Sequence, residues 1–149
     1  MNQTEMTEFL PEELRNASGA RLVATFYDEA INALEESIEA IEQGDIQRRY
    51  DSVMVATGLI AELAYALDEE TGGAIAHNLG RLYVFILTHL PRINIDNDPA
   101  PARNAIHLLA PLRDAWEELD ARLVAQETPI EAPTLAGAGD TAGAALMTA

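Results

Sequence analysis

The side chains of this chain that could perform chemistry are its acidic residues and three histidines. A helical bundle can hold a di-iron site when inward-facing glutamates are joined by Glu-x-x-His pairs. The residues three positions before the histidines are not acidic: Ala74 before His77, Ile86 before His89 and Asn104 before His107. Zinc motifs with two histidines at helical spacing are missing too. The sequence therefore predicts no metal site, and the histidines are expected to face solvent or to be hydrogen-bonded.

Other catalytic patterns are equally weak. Carboxylates stand side by side at Glu35-Glu36 and Asp68-Glu69-Glu70, but these segments belong to the polar face of a helix or to a helix junction. General acid or base catalysis needs a carboxylate in a desolvated cleft with a positioned partner. The chain has no cysteine, and Gly72-Gly73 lacks the lysine that follows a phosphate-binding glycine loop. We expect neither an enzyme nor a cofactor.

Length and charge narrow the class of protein further. The chain has 149 residues, enough for one domain, and its 25 acidic residues against nine arginines give a net charge of -16. This balance argues against binding to nucleic acid or to anionic membranes. No signal peptide is expected, and the apolar stretch 74–90 is too short for a membrane span and contains Arg81. A cytoplasmic protein is predicted.

Apolar residues recur at helical spacing in four segments, and no segment shows the alternation of a strand. The predicted helices span about residues 18–43, 46–67, 68 or 71–90, and 99–124. Ser18, Asp45 and Asp98 are the expected N-caps, and Gly44 is the expected end of the first helix. Pro111 should bend the fourth helix rather than open a loop.

The helices and their short connections predict an all-α fold, an antiparallel four-helix bundle. We divide the chain into an N-terminal arm (1–17), the bundle domain (18–125) and a flexible tail rich in Ala, Gly, Pro and Thr (126–149).

The second and third helices carry more apolar surface than a small bundle can bury. Between Val53 and Leu67 the only charged residue is Glu62, and between Ala74 and Leu90 it is Arg81. In the second helix the predicted core stripe is Ile46, Tyr50, Val53, Thr57, Ile60, Ala64 and Leu67, and a second stripe is Ala56, Leu59, Leu63 and Ala66. In the third helix apolar residues spill onto further faces. This excess indicates a groove for an apolar partner.

Several sequence fragments, taken in order, resemble the FliS family of flagellin export chaperones over about residues 17–123. The fragments are Ala17-Ser18, Leu22, Tyr27-Asp28, Ala30-Ile31, Gly44-Asp45, Leu67-Asp68, Gly72-Gly73, Ile75-Ala76, Asn78-Leu79, Leu82-Tyr83, Leu109, Leu112-Arg113 and Ala115-Trp116. The resemblance implies a cytosolic bundle that binds the disordered C-terminal segment of flagellin in apolar grooves. Binding would prevent premature polymerisation and support delivery to the flagellar export gate. An export-gate component and a co-chaperone are further candidate partners.

The residues expected to line the flagellin-binding groove are Ala56, Leu59, Leu63, Ile75, Asn78, Leu79, Leu82, Tyr83 and Ile86. An aspartate in place of Leu63, Leu79 or Ile86 should weaken binding while the chain stays helical. The N-terminal arm has Met6, Phe9 and Leu10 where the family usually has tyrosines, and these side chains are expected to plug the empty groove. Asn78 serves either a buried backbone group or the backbone of a partner.

Two other classes of function remain open from the sequence alone. The spare stripes could bury each other in a homodimer without a flagellin client, so the free protein is expected as a monomer or a weak homodimer. A helical-bundle enzyme is the weakest alternative, because no polar cluster converges on the predicted core.

Overall fold

The computed structural model describes residues 10–127, and all regular structure in this range is helical. A 3-10 turn at Glu12–Leu14 precedes the helices α1 (Ala17–Gln43), α2 (Ile46–Tyr65), α3 (Glu69–His89), α4 (Pro91–Asp96) and α5 (Ala100–Glu127). The four long helices form the predicted four-helix bundle. The short helix α4 was not predicted.

Helix α1 is the central element and packs along its length against α2 and α5. Its N-cap is Asn16 rather than the predicted Ser18, because the Asn16 side chain accepts a hydrogen bond from the amide of Gly19 at 2.9 Å. Its end is as predicted: Gly44 adopts a left-handed conformation (φ 68°), and its amide donates to the carbonyl groups of Ala40 and Ile41.

The core lies between α1 and the faces that α2, α3 and α5 turn toward it. Its largest fully buried side chains are Trp116, Tyr27, Ile31, Leu34, Ile60, Ile86, Leu90, Ile93, Leu109 and Leu119. The opposite face of α1 is exposed and acidic, with Glu29, Glu35, Glu39 and Glu42. Helix α1 is thus an ordinary amphipathic helix with one apolar face.

The predicted core stripe of α2 is wrong in its first turns. Ile46 and Tyr50 are 68% and 50% exposed, whereas Ala56 and Leu63 of the predicted second stripe are buried. The buried face of α2 is Ser52, Val53, Ala56, Ile60 and Leu63. The reason is geometric: the position of α1 decides which face of α2 points inward, and periodicity alone does not fix that direction.

Helix α4 connects α3 to α5 and is held by α2. Pro91 occupies its first turn, Ile93 is fully buried, and Asn97 ends it in a left-handed conformation (φ 51°). The Arg49 guanidinium donates to Asn94 Oδ1 at 3.1 Å and to the Asn97 side chain. This contact fixes the connection at one end of the bundle.

Helix α5 begins after Asp98, whose carboxylate accepts from the Ala100 amide at 2.9 Å. The helix continues through Pro111 without opening into a loop. Pro111 is exposed, so the missing backbone hydrogen bond lies on the solvent side.

Candidate functional site

Exposed large apolar side chains concentrate on α2 and α3. Nine such residues occur in the described part of the chain, and five of them lie on α2 and two on α3. On α2, Tyr50, Met54 and Tyr65 share an outward face with Ala61, at spacings of four, seven and four residues. We call these four residues the outer stripe of α2. Tyr65 is 92% exposed, and Tyr50 and Met54 are 50% and 52% exposed, so a large part of this apolar surface is in contact with water.

A groove runs beside the outer stripe, between α2 and α3. It encloses about 520 Å³, and its wall residues are Ala64, Leu67, Glu69, His77, Gly80, Arg81, Val84 and Phe85. We call it the α2–α3 groove. A side chain on Gly80 would extend over its floor, since a Cβ atom there would lie 3.6 Å from Glu69 Oε1 and Leu67 Cδ1. The groove is open along one side and mostly apolar, which suits an added helix.

One end of the groove lies at the junction between α2 and α3, where Leu67 and Glu69 line it. Asp68 caps α3 by accepting from the amides of Glu70 at 3.1 Å and Thr71 at 3.3 Å. Hydrogen bonds from the Thr71 side chain and then its backbone hold the pKa of the Asp68 carboxyl below its ordinary value. Gly73 follows with φ 56° and ψ -131°, a backbone conformation that residues with a Cβ atom rarely adopt. The first turn of α3 is therefore set at an angle to the rest.

The N-terminal segment is attached at the same junction. The Arg15 guanidinium donates through Nε to the carbonyl oxygen of Leu10 at 2.8 Å and through Nη2 to Thr71 Oγ1 at 2.9 Å. Leu10 itself is buried in the core. The described segment that precedes α1, residues 10–15, is thus fixed to this junction.

Behind the groove, α3 is joined to the core by a buried pair of tyrosines. The hydroxyl groups of Tyr27 on α1 and Tyr83 on α3 are hydrogen-bonded to each other, and the Trp116 side chain hydrogen-bonds Tyr27. Burial raises the pKa of Tyr83 to about 12, and burial followed by the adjacent Tyr83 raises the pKa of Tyr27. Both phenols are neutral at ordinary pH, so the pair orients α3 without buried charge.

The residues predicted to line the groove fall into three groups. Ala56, Leu63, Leu79, Tyr83 and Ile86 are buried in the core; Leu59, Ile75 and Leu82 are half-buried; Asn78 is exposed. In this conformation the buried group cannot contact a partner, and an aspartate there would be placed in the core. None of the nine predicted residues lines the α2–α3 groove, and all eight of its lining residues were missing from the prediction. The apolar character of Val84 and Phe85 outside the core face was the available signal.

The predicted arm residues are only partly described. Leu10 packs into the core, whereas Met6 and Phe9 lie outside the described residues. Leu10 therefore contributes to the bundle itself.

A second, smaller cavity lies on the other side of α3. It encloses about 140 Å³ and is lined by Phe85, Ile86, His89, Arg92, Asp98, Ala100, Pro101, Asn104 and Ala105. Phe85 borders both spaces. The cavity is too small for a helix, whose diameter is about 10 Å or more. The α2–α3 groove is therefore a better site for a macromolecular partner than this cavity.

The described residues contain no group of three or more His, Cys, Asp or Glu side chains that could hold a metal ion. Over residues 10–127, no helix has both the length and the apolar character that a membrane span needs. What the fold presents is a bundle with an open apolar groove beside an uncharged helix face. Such a site is typical of proteins that bind another polypeptide.

Comparison with known proteins gives the family. The sequence model described as "Flagellar protein FliS" matches residues 2–123. Similar proteins include the flagellar secretion chaperone FliS of Salmonella typhimurium, 31% identical over 76% of this chain and 84% of the relative. The flagellar secretion chaperone FliS of Vibrio cholerae is 30% identical over 72% of this chain and 79% of the relative. The flagellar secretion chaperone FliSB of Pseudomonas aeruginosa is 29% identical over 70% of this chain and 83% of the relative.

The chain belongs to the FliS family, and the predicted resemblance is confirmed. The family is one of chaperones and not of enzymes, with a role in flagellar export.

Proposed function

We propose that this chain binds the disordered C-terminal segment of flagellin in the α2–α3 groove and along the outer stripe of α2. The complex forms in the cytoplasm, prevents premature polymerisation of flagellin and supports its delivery to the flagellar export gate. The names of the relatives support the export role, and the shape of the groove supports a helical client.

One observation carries the proposal: an extended exposed surface with few charges in a protein of net charge -16. From Ser52 to Leu67 only Glu62 is charged, and from Thr71 to Leu90 only Arg81 is charged. An exposed apolar face of this length costs solubility unless a partner covers it. Folding of a disordered segment on binding typically buries on the order of 1,000–3,000 Å², which offsets the entropy lost by the segment.

The residues that contact the client follow from exposure. We place Ala64, Leu67, Val84 and Phe85 of the groove against the client. The half-buried Leu59, Ile75 and Leu82 and the exposed Asn78 do not line the groove, and we propose that they contact the client where it extends beyond the groove. The buried Ala56, Leu63, Leu79, Tyr83 and Ile86 support this surface from below. The arm residues Met6 and Phe9 are proposed to plug the groove in the free protein, from the anchor that Leu10 provides.

The test is co-purification of the chain with flagellin from its own organism, with and without the flagellin C-terminal segment. Retention of full-length flagellin and loss of the truncated form is the expected result. Equal retention of both forms would exclude the C-terminal segment as the client.

A matched pair of variants locates the site. Val84→Asp should abolish co-purification, because it places a carboxylate in the groove. Leu22→Asp is the control, since Leu22 is a similarly exposed apolar residue on α1 outside the groove. Both variants should give wild-type far-ultraviolet dichroism. Loss of binding in the Leu22 variant alone would move the site to α1.

A second candidate is a homodimer through the outer stripe of α2, which extends beyond the groove and includes the highly exposed Tyr65. The net charge of -16 on each copy opposes this association. Light scattering distinguishes the two functions. A dimer that persists when the flagellin segment is added would favour self-association, whereas a monomer or a dimer that dissociates favours the client.

A further inference from the structure

The arginines of this acidic protein are mostly held by neighbouring residues. Seven of the nine donate from their side chains to carboxylate, amide, hydroxyl or carbonyl oxygens: Arg15, Arg21, Arg48, Arg49, Arg92, Arg113 and Arg122. Arg81 and Arg103 make no side-chain hydrogen bond or ion pair with the side chains that the structure describes. With 25 acidic residues in the chain, an arginine without a partner is the exception.

Arg81 is placed where a partner would approach. It lies on the exposed side of α3 and lines the α2–α3 groove, one turn before Val84. The other charged group that lines the groove is Glu69, whose carboxylate lies over Gly80, next to Arg81 in the chain. His77 lines the same groove one turn before Arg81. The remaining wall is apolar or uncharged.

We infer that Arg81 selects the client segment and its register by pairing with a carboxylate on it. The inference rests on the proposed function and names the chemistry of the occupant: a helix with an apolar face and an Asp or Glu beside that face. When the helix covers the apolar wall, water is excluded from the guanidinium and the ion pair strengthens. A guanidinium can also hold a carboxylate with two parallel hydrogen bonds, which fixes orientation.

Glu69 gives the pairing its direction along the groove. A client carboxylate moved toward Glu69 would meet a like charge instead of the guanidinium. One helical turn corresponds to about 5.4 Å, so a shift by one turn is enough to separate these environments. Glu69 thus rejects a carboxylate displaced toward it, and Arg81 accepts the correct one.

The experiment compares charge changes at the two unpartnered arginines. Arg81→Gln should weaken binding of the flagellin C-terminal segment by about threefold, the scale of a partly exposed ion pair. Arg81→Glu should weaken it by about tenfold or more, because attraction becomes repulsion. Arg103→Gln and Arg103→Glu change the net charge equally on α5, outside this groove, and should alter the dissociation constant by less than about twofold. Isothermal titration at low and high salt measures each constant.

A charge exchange identifies the partner residue. Each Asp and Glu of the segment is replaced in turn by Lys, and one replacement should weaken binding to the wild-type chain and restore it for the Arg81→Glu variant. Wild-type affinity in Arg81→Glu, equal losses in the Arg103 variants, or no restoring replacement would overturn the role of Arg81. Those outcomes leave the proposed function standing if Val84→Asp still abolishes binding. Failure of the wild-type chain to bind the segment would overturn both.

Discussion

Helices α1 and α3 are both surface helices of the same bundle, yet they distribute their apolar residues differently. On α1 the apolar residues other than the exposed Leu22 form one buried face, and Glu29, Glu35 and Glu39 occupy the exposed one. On α3 a buried face is joined by a second apolar face with Val84 and Phe85, which are 58% and 48% exposed. Helix α1 therefore uses its apolar face to form the core. Helix α3 also contributes a face to the core, but it leaves further apolar surface exposed that a partner can cover.

The largest effect is expected when the inner face of α3 is charged. Ile86 is 2% exposed, and Ile86→Asp would bury an uncompensated carboxylate. We expect the free energy of unfolding to fall by about 3 kcal/mol or more. Urea denaturation measures the change.

Val84→Asp is the control on the outer face of the same helix. Its unfolding free energy should stay within about 0.5 kcal/mol of the wild type. Equal losses for Ile86→Asp and Val84→Asp would mean that the two faces of α3 are not distinct.

The contact that joins the two helices provides a smaller effect. Tyr83→Phe removes one hydroxyl group of the buried pair and leaves Tyr27 with the Trp116 side chain alone. We expect a loss of about 1–3 kcal/mol in unfolding free energy, the cost of a buried polar group that loses a partner. Thermal and urea unfolding should agree. No loss would show that α3 does not depend on this contact.

The buried Tyr27–Tyr83 pair also predicts that the free energy of unfolding falls at alkaline pH. Burial raises the pKa of Tyr83 to about 12 from an unfolded value of 10.0, so the folded state retains the phenolic proton. Its contribution to stability is complete below pH 10.0 and is lost as pH rises through about 12. The Tyr83→Phe variant should lose less stability than the wild type over that range. A steeper loss in the variant would contradict the assignment.

Two glycines differ in backbone conformation: Gly58 on α2 is in an ordinary helical conformation, whereas Gly73 on α3 has a positive φ. A Cβ atom added at Gly58 would have no other atom within 4 Å, and the backbone there is not left-handed. Gly58→Ala should therefore raise the unfolding free energy by about 1 kcal/mol through helix propensity. Gly73→Ala should lower it by about 1 kcal/mol or more, because φ is 56° there. Changes of the same sign in both variants would contradict this interpretation of the backbone.

The smallest effect is expected at the start of α3. The pKa of Asp68 is lowered by its hydrogen bonds to Thr71, so its contribution is present above the unfolded value of 3.8 and is lost as pH falls through the folded value. Asp68→Asn keeps a capping side chain without a titratable group. Its melting temperature should fall less than that of the wild type between about pH 6 and about pH 3. Identical curves would show that Asp68 does not contribute.

Much of the fold could be predicted because its signals are local. Gly44, Asp45 and Asp98 mark helix ends through their own backbone or side-chain hydrogen bonds, and those ends are where the sequence placed them. Helix α4 was missed because Pro91 was interpreted only as the end of α3. Proline also suits the first turn of a new helix, and Pro91 occupies that position.

The site was harder to predict because the packing of the helices decides which residues line it. Ala56 and Leu63 were assigned to the groove, but both are buried, since α2 turns that face toward the core. Gly80 gave no periodic signal, and its importance depends on the nearby side chains of Leu67 and Glu69. Periodicity defined apolar faces, whereas only the packed helices defined which face remains open.

The attachment of Arg15 to Leu10 and Thr71 bears on how binding strength should be measured. Thr71 is two residues from Glu69, which lines the groove, so the backbone at Leu10 is held close to the proposed site. On the proposal that Met6 and Phe9 plug the groove, these residues compete with the client at the effective concentration of a short linker, which reaches the millimolar range. Removal of residues 1–9 should then raise the apparent affinity of the client, and a binding constant measured on the truncated chain would overstate the affinity of the full sequence.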